Sequence, residues 1–247
     1  MQLENVRVVL VEPSHPGNIG GAARAMKTMG LRDLVVVNPR RYPDPQADWR
    51  AAGALDVLDA AQVVTDLDQA IHDCHWVVGT STRNRRIPWP INDAKGTAEH
   101  IIGLPAHTQV AILFGREDNG LSNEELARCN LHLQVPAAPE YSSLNLAMAV
   151  QVICYEIFQA DVRDSLEAPI SGAGRSGWDR KAATAGEVDD LLAHLEGVLV
   201  STEFLQSDNP GQTMTRLRRM LARVQLDETE VQILRGVIKH LAKSAPI

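Results

Sequence analysis

The chain of 247 residues has no apolar run approaching the roughly 18–20 residues of a membrane span. Its first eleven residues lack a basic-then-apolar signal layout and are expected to form a strand. Cysteine is scarce: Cys74, Cys129 and Cys154 are odd in number and widely spaced. That excludes a disulfide or zinc framework and suits a reducing cytoplasm. No internal repeat or low-complexity tract is present, and no GxGxxG follows the first strand. The second apolar run ends in Asn38-Pro39, where a dinucleotide site would place a ribose-binding acid, so that fold is set aside. His72, Asp73, Cys74 and His75 crowd one junction, where four such residues in a row do not all face one ion; no metal is expected.

The net charge of −7 argues against a generic nucleic-acid coat, but it is unevenly placed. It is −5 over residues 1–159, −6 over 160–209 and +4 over 210–247. A local basic field is what meets RNA. Val6–Val11, Leu34–Val37, Trp76–Gly79, Val110–Phe114 and Leu131–Val135 are continuous apolar runs, the mark of strands buried on both faces. Between them lie helical stretches near Ile19–Met29, Leu67–His72 and Asn123–Arg128. Ser122 with Glu125 gives the last a capping box. The alternation predicts an α/β fold with a mainly parallel sheet. A further helix, opened by the segment that begins at Ser142, is expected to continue to about Phe158. Residues 168–177 (APISGAGRSG) read as a mobile linker. Beyond them the pattern is helical only. Thr184 and Glu187 form a second capping box. Val188/Leu191/Leu195/Val198, Met214/Leu217/Leu221/Val224 and Val231/Leu234/Ile238/Leu241 form three apolar stripes. The expected divisions are a catalytic domain at 1–162, a linker at 163–183 and a helical extension at 184–247.

Three islands carry chemistry. Asn18-Ile19-Gly20-Gly21-Ala22-Ala23-Arg24-Ala25 follows the first strand. Leu113-Phe114-Gly115-Arg116-Glu117-Asp118-Asn119-Gly120-Leu121-Ser122 follows the fourth run. Ser142-Ser143-Leu144-Asn145-Leu146-Ala147-Met148-Ala149-Val150 opens the helix after the fifth, where free backbone N–H groups meet ligands. Taken singly, each island also suits turn chemistry, capping or a solvated charge. Together and in this order they resemble the three motifs of the SpoU branch of the SPOUT methyltransferases, enzymes that methylate RNA from S-adenosylmethionine (AdoMet).

The resemblance covers nearly the whole chain. Val11–Asn18, Gly79–Arg83 with Pro88-Trp89-Pro90, Pro139–Leu146, Asn209–Gln212, Leu217-Arg218-Arg219 and Ile233–Gly236 narrow it further. They point to the bacterial enzymes that methylate the ribose 2′-oxygen at position 32 of the tRNA anticodon loop. The resemblance implies a C-terminal trefoil knot in the α/β domain, a homodimer with a shared site, and tRNA as partner. It places AdoMet among Thr80, Ser81, Thr82, Gly115, Val135, Ser142, Ser143 and Leu144. It assigns the chemistry to Arg24, with Asn18, Glu117 and Asn145 fixing the surrounding hydrogen bonds. Such an arginine is often given the role of base. A guanidinium is effectively always protonated, so Arg24 is expected to position ribose and phosphate and to stabilise alkoxide charge. RNA contact is expected from Arg83, Arg85 and Arg86 before Ile87–Pro90, from Arg116, and from Arg216, Arg219 and Arg223 on one helical face. A solvated loop or a soluble outer face would explain the same basic clusters. The alternatives are a ribosomal-RNA ribose methyltransferase and a non-catalytic RNA binder on the same scaffold.

Overall fold

The computed structural model describes residues 3–81, 91–138, 140, 143–167, 181–206 and 212–244. Among them a seven-stranded, all-parallel sheet forms the centre, in the order β3-β2-β1-β6-β4-β7-β5. The strands are β1 (Val6–Val11), β2 (Asp33–Val37), β3 (Gln62–Val64), β4 (Trp76–Thr80), β5 (Ile91–Asn92), β6 (Val110–Phe114) and β7 (Leu131–Leu133). Helices between them are α1 (Pro16–Thr28), α2 (Pro45–Ala51), α3 (Leu55–Asp59), α4 (Leu67–Ile71), α5 (Ala94–Gly103), α6 (Asn123–Ala127) and α7 (Leu146–Glu167). The tail holds α8 (Ala185–Ser201), α9 (Thr213–Val224) and α10 (Glu228–Ser244).

Successive side chains of a strand point to opposite faces, so a strand covered on both sides is apolar throughout. Val6, Val8, Leu10, Ile112 and Phe114 pack under α1, α5 and α7. Val9, Val11, Ala111 and Leu113 pack on the other face against α4 and α6. The tail has its own core, built on Leu191, Leu192, Leu221, Val231 and Ile238. Val224 and Leu241, members of the second and third apolar stripes, stand 52% and 59% exposed.

Several expected boundaries move. β7 stops at Leu133 rather than Val135, because its pairing with β4 ends at Thr80 and with β5 at Asn92. The helix expected to end near Phe158 runs nine residues further, to Glu167; no Gly or Pro interrupts it, and Ala160 is still buried. Residues 163–167 of the expected linker are therefore helical. Residues 182–183 are held as well: Ala182 bridges Asp227, and the Ala183 N–H donates to the Leu226 carbonyl at 2.8 Å.

Candidate active site

The carboxyl ends of β1, β6, β4 and β7 converge, as ligand sites of open parallel sheets do. β6 ends in Gly115, after which Arg116–Gly120 turns back through an antiparallel bridge. A side chain at Gly115 would lie 2.1 Å from the Gly120 carbonyl carbon, so only glycine allows this turn to close. Beside it opens a cavity of about 320 Å³. Thr80, Ser81, Gly115, Val135, Ser143 and Leu144, all expected at a cofactor, line this one cavity. Thr82 and Ser142 lie outside the described residues, as do Arg83, Arg85 and Arg86. The Thr80 hydroxyl donates to the Leu113 carbonyl at 2.8 Å and the Ser81 N–H to that of Leu133 at 3.0 Å, which fixes the cavity's floor. Leu133, Leu146, Ala149 and Ile153 supply apolar wall; Glu117 and Asp118 supply negative charge and Arg116 positive charge.

Glu117 organises what lies next to it. Its Oε2 accepts from the Ser14 N–H at 3.0 Å and the Ser14 hydroxyl at 2.9 Å. Its Oε1 accepts from the His15 N–H at 3.3 Å and from Asn18 Nδ2 at 2.8 Å. Burial pushes this carboxyl up, but the converging donors outweigh burial and hold it at about 2. An ionised carboxylate only accepts, so Asn18 must turn its amide nitrogen to Glu117 and its oxygen away. That oxygen accepts from Asn145 Nδ2 at 3.0 Å, and Asn145 Oδ1 in turn accepts from the Ala147 N–H at 3.0 Å at the start of α7. Three residues 99 and 127 positions apart in sequence thus form one directed chain from β6 to α7.

On the far side of that chain lies a second cavity of about 460 Å³, lined by His15, Asn18, Arg24, Gln46, Arg50 and Asn145 among others. Glu117 borders the first cavity, Asn18 and Asn145 the second, so the chain is the partition between them. Arg24 is exposed on α1, with no carboxylate paired to it among the described residues.

Arg116 differs from expectation. Its Nε donates to Glu12 at 2.9 Å, and its two terminal nitrogens each reach a Glu125 oxygen at 3.0 Å. The hydrogen bonds it donates to Glu12 and then to Glu125 raise its pKa. Its fork is occupied, and it ties β1, the Gly115 turn and α6 together instead of standing free for phosphate. Arg216 and Arg223 are exposed on α9, while Arg219 is half-buried with an unpartnered Nε. Arg218 faces the other way, onto Asp189. Ser14, Gln46 and Arg50 were not among the expected site residues. Ser14 had a signal, its place in the loop after β1; the other two sit on α2, which Asp44 caps before Pro45, a start signal that could have found it.

The model of the SpoU rRNA Methylase family matches residues 5–155, and that of the C-terminal domain of the tRNA methyltransferase TrmJ matches residues 186–246. The chain belongs to the SpoU methylase family. The tRNA (cytidine/uridine-2′-O-)-methyltransferase TrmJ of Salmonella typhimurium is 46% identical over 239 residues, 97% of each chain. The crystal structure of TrmJ from Z. mobilis ZM4 superposes with a TM-score of 0.81 at 33% identity, over 95% of this chain and 98% of that one. The SpoU methyltransferase AviRb of Streptomyces viridochromogenes, solved in complex with AdoMet, shares the fold. Its TM-score is 0.51 at 23% identity, over 63% of this chain and 60% of that one.

Proposed function

We propose that this protein is a tRNA ribose 2′-O-methyltransferase that uses AdoMet and acts on cytidine or uridine at position 32 of the anticodon loop. The observation that carries the reading is the pair of cavities at the two ends of the Glu117–Asn18–Asn145 chain. A two-substrate displacement needs the methyl donor and the nucleophile on either side of a short, ordered passage. Here one cavity combines an apolar wall with Arg116, Glu117 and Asp118, and the other holds Arg24 and Arg50, neither paired to a carboxylate among the described residues.

The first cavity fits the donor's chemistry. Its size falls in the range of roughly 300–1,000 Å³ typical of small-molecule sites. Its apolar wall suits a purine, and Glu117 and Asp118 suit a cation. Thr80, Ser81, Gly115, Val135, Ser143 and Leu144 would hold the donor, together with Thr82 and Ser142. The donor's sulfonium supplies a methyl group already activated for displacement. The chain's own residues then have to orient the ribose. Arg24 holds the 2′-oxygen and the neighbouring phosphate and stabilises the alkoxide charge that develops as the hydroxyl loses its proton. Asn18 and Asn145, locked by Glu117, keep the α1 and α7 starts in register with it.

The match of 186–246 to the TrmJ C-terminal domain favours tRNA over the ribosomal RNA of the family's name. The tail at 184–247 would supply RNA contacts beside the catalytic domain, whose last helix runs to Glu167. Family membership implies the trefoil knot, and the strand order is in keeping with it: β6 and β7 insert between strands laid down earlier. A homodimer would cover the exposed stripe Met148, Tyr155, Val162 and Leu166 on one face of α7. A cytoplasmic location agrees with three free cysteines, and no helix among the described residues is long and apolar enough to cross a membrane.

The test is methyl transfer from labelled AdoMet to unmodified tRNA, with nucleosides mapped by mass spectrometry, beside Arg24→Ala. The expected product is a 2′-O-methylated nucleotide at position 32 that the variant does not make. AdoMet binding without transfer to tRNA would move the substrate to ribosomal RNA.

A further inference from the structure

Cations on the catalytic part are mostly neutralised. Arg7 meets Asp33 and Asp73, Lys27 and Arg32 share Asp56, and Arg41 meets Asp44. Arg128 meets Asp68 and Asp189, and Arg116 two glutamates. Arg24 and Arg50 do not follow this pattern. Neither has a carboxylate partner among the described residues, both border the same cavity, and no carboxylate lines it. Two guanidinium groups facing one space repel unless a shared anion enters it.

The backbone that carries Arg50 is packed closely on α1. A Cβ on Gly20 would sit 1.9 Å from the Ala47 carbonyl oxygen, so α2 lies as close to α1 as backbone allows. The Arg50 stem lies over Gly17, with its Cγ 3.4 Å from where a Cβ would be. On α2, Gln46 and Arg50 are spaced i, i+4, and Trp49 is i+3 from Gln46, so the three share a side. Trp49 is 80% exposed, the second most exposed large apolar side chain among the described residues. An arginine pair beside an exposed indole is the combination that binds phosphate and stacks an unpaired base in single-stranded RNA.

We infer that α2 is a second RNA-reading element. Arg50 binds the phosphate beside the target ribose opposite Arg24, Gln46 hydrogen-bonds the same nucleotide step, and Trp49 stacks against a neighbouring unpaired base. This rests on the site being that of an RNA ribose methyltransferase.

The experiment uses the full chain with AdoMet and unmodified tRNA, comparing Arg50→Ala, Arg50→Lys, Trp49→Ala and Trp49→Phe. Arg50→Ala is expected to raise the tRNA KM about tenfold, with kcat within about threefold and AdoMet affinity unchanged. Its log–log salt dependence of tRNA binding should be shallower by about 0.7–0.9. Arg50→Lys should restore the salt slope more than the KM, since a point charge lacks the fork. Trp49→Ala should raise KM by about fivefold or more, Trp49→Phe should recover most of it, and melting temperatures should not move. Unchanged KM and salt slope in Arg50→Ala, beside an active wild type, overturn the inference. Loss of dimer in sedimentation of Trp49→Ala overturns the stacking role and assigns the indole to a contact between copies. If the wild type transfers no methyl to tRNA, the proposed function fails instead. The element is then judged by binding of a single-stranded oligoribonucleotide, where Arg50→Ala binding as tightly as wild type overturns it.

Discussion

Glu117→Gln is the sharpest single perturbation of the partition between the two cavities, because it keeps shape and removes only an acceptor and a charge. Four donors converge on this carboxylate, two on each oxygen. An amide keeps one acceptor oxygen and turns an NH2 group toward the other pair, so two donors lose their partner. A hydrogen bond to a charged group contributes about 1.5–3 kcal/mol when shielded. Glu117 is only half-buried, and water takes up part of the loss, so the expected destabilisation is about 1–2 kcal/mol in total. For a chain of this size that lowers Tm by roughly 3–6 °C. The pH dependence has a definite sign. The folded carboxyl sits at about 2, against an ordinary value of 4.5. A depressed folded pKa contributes stability that is complete above the ordinary value and is lost as pH falls toward the folded one. Glutamine does not titrate. The Tm gap between wild type and variant should therefore be constant from about pH 8 to pH 5.5 and shrink below about pH 4.5. Calorimetry across that range is the assay. Equal melting temperatures at pH 7, or a gap that stays full at pH 3, would refute the reasoning.

Arg24→Lys should lower turnover about a hundredfold or more with AdoMet affinity kept, measured by single-turnover methyl transfer; near-full turnover at neutral pH would remove the need for the guanidinium fork. Gly20→Ala must separate α1 from α2, since its Cβ would overlap the Ala47 carbonyl at 1.9 Å; a loss of about 2–4 kcal/mol in urea unfolding is expected. Burial pushes the thiols of Cys74 and Cys154 up to about 12 and that of Cys129 higher still. All three should resist alkylation in the native protein and react at once in denaturant, and fast native labelling of any of them would contradict the packing.

The strands that sit between two layers of helices were readable from sequence, because double burial writes a continuous apolar run: β1 and β6 have their expected bounds. The elements that went unread are those whose pattern is set by something else. β3 is an edge strand with Gln62 and Val63 exposed, and β5 has only two residues, so neither builds a periodic signal. α2 is seven residues long and mixes Trp, Arg and Asp with two buried alanines. Local chemistry was legible where it is local: the capping boxes at Ser122 and Thr184 both form, since their partners are three residues apart. Arg116 shows the opposite case. Its partner Glu12 lies 104 positions away, and no spacing rule links a strand-end glutamate to an arginine across a sheet. The motif islands named Asn18, Arg24, Gly115, Glu117, Ser143 and Asn145, but only the fold shows that Glu117, Asn18 and Asn145 form one directed chain.

The tail's place in the fold decides how its role must be tested. It docks where strands begin, at the opposite end of the sheet from the cavities. The Ala185 N–H donates to the Cys74 carbonyl at 2.8 Å, just before β4, and the Asn130 side chain, just before β7, donates to the Ala222 carbonyl at 3.2 Å. Asp189 joins Arg128 of the catalytic part to Arg218 of α9. Deleting 179–247 would leave the Cys74 carbonyl without this donor, the Asn130 amide without this acceptor and Arg128 with Asp68 alone. A deletion therefore lowers stability along with any RNA affinity. Point changes separate the two. Arg218 and Ala222 occupy the docked face of α9, whereas Arg216 and Arg223 lie on the opposite face, exposed and unpaired among the described residues. Replacing both by Ala should leave Tm within the change expected for about 0.5 kcal/mol. It should also weaken tRNA binding while flattening its log–log salt slope by about 0.7–0.9 for each phosphate that is no longer neutralised. An unchanged slope in titrations at several salt concentrations would mean that α9 serves the fold and not the RNA.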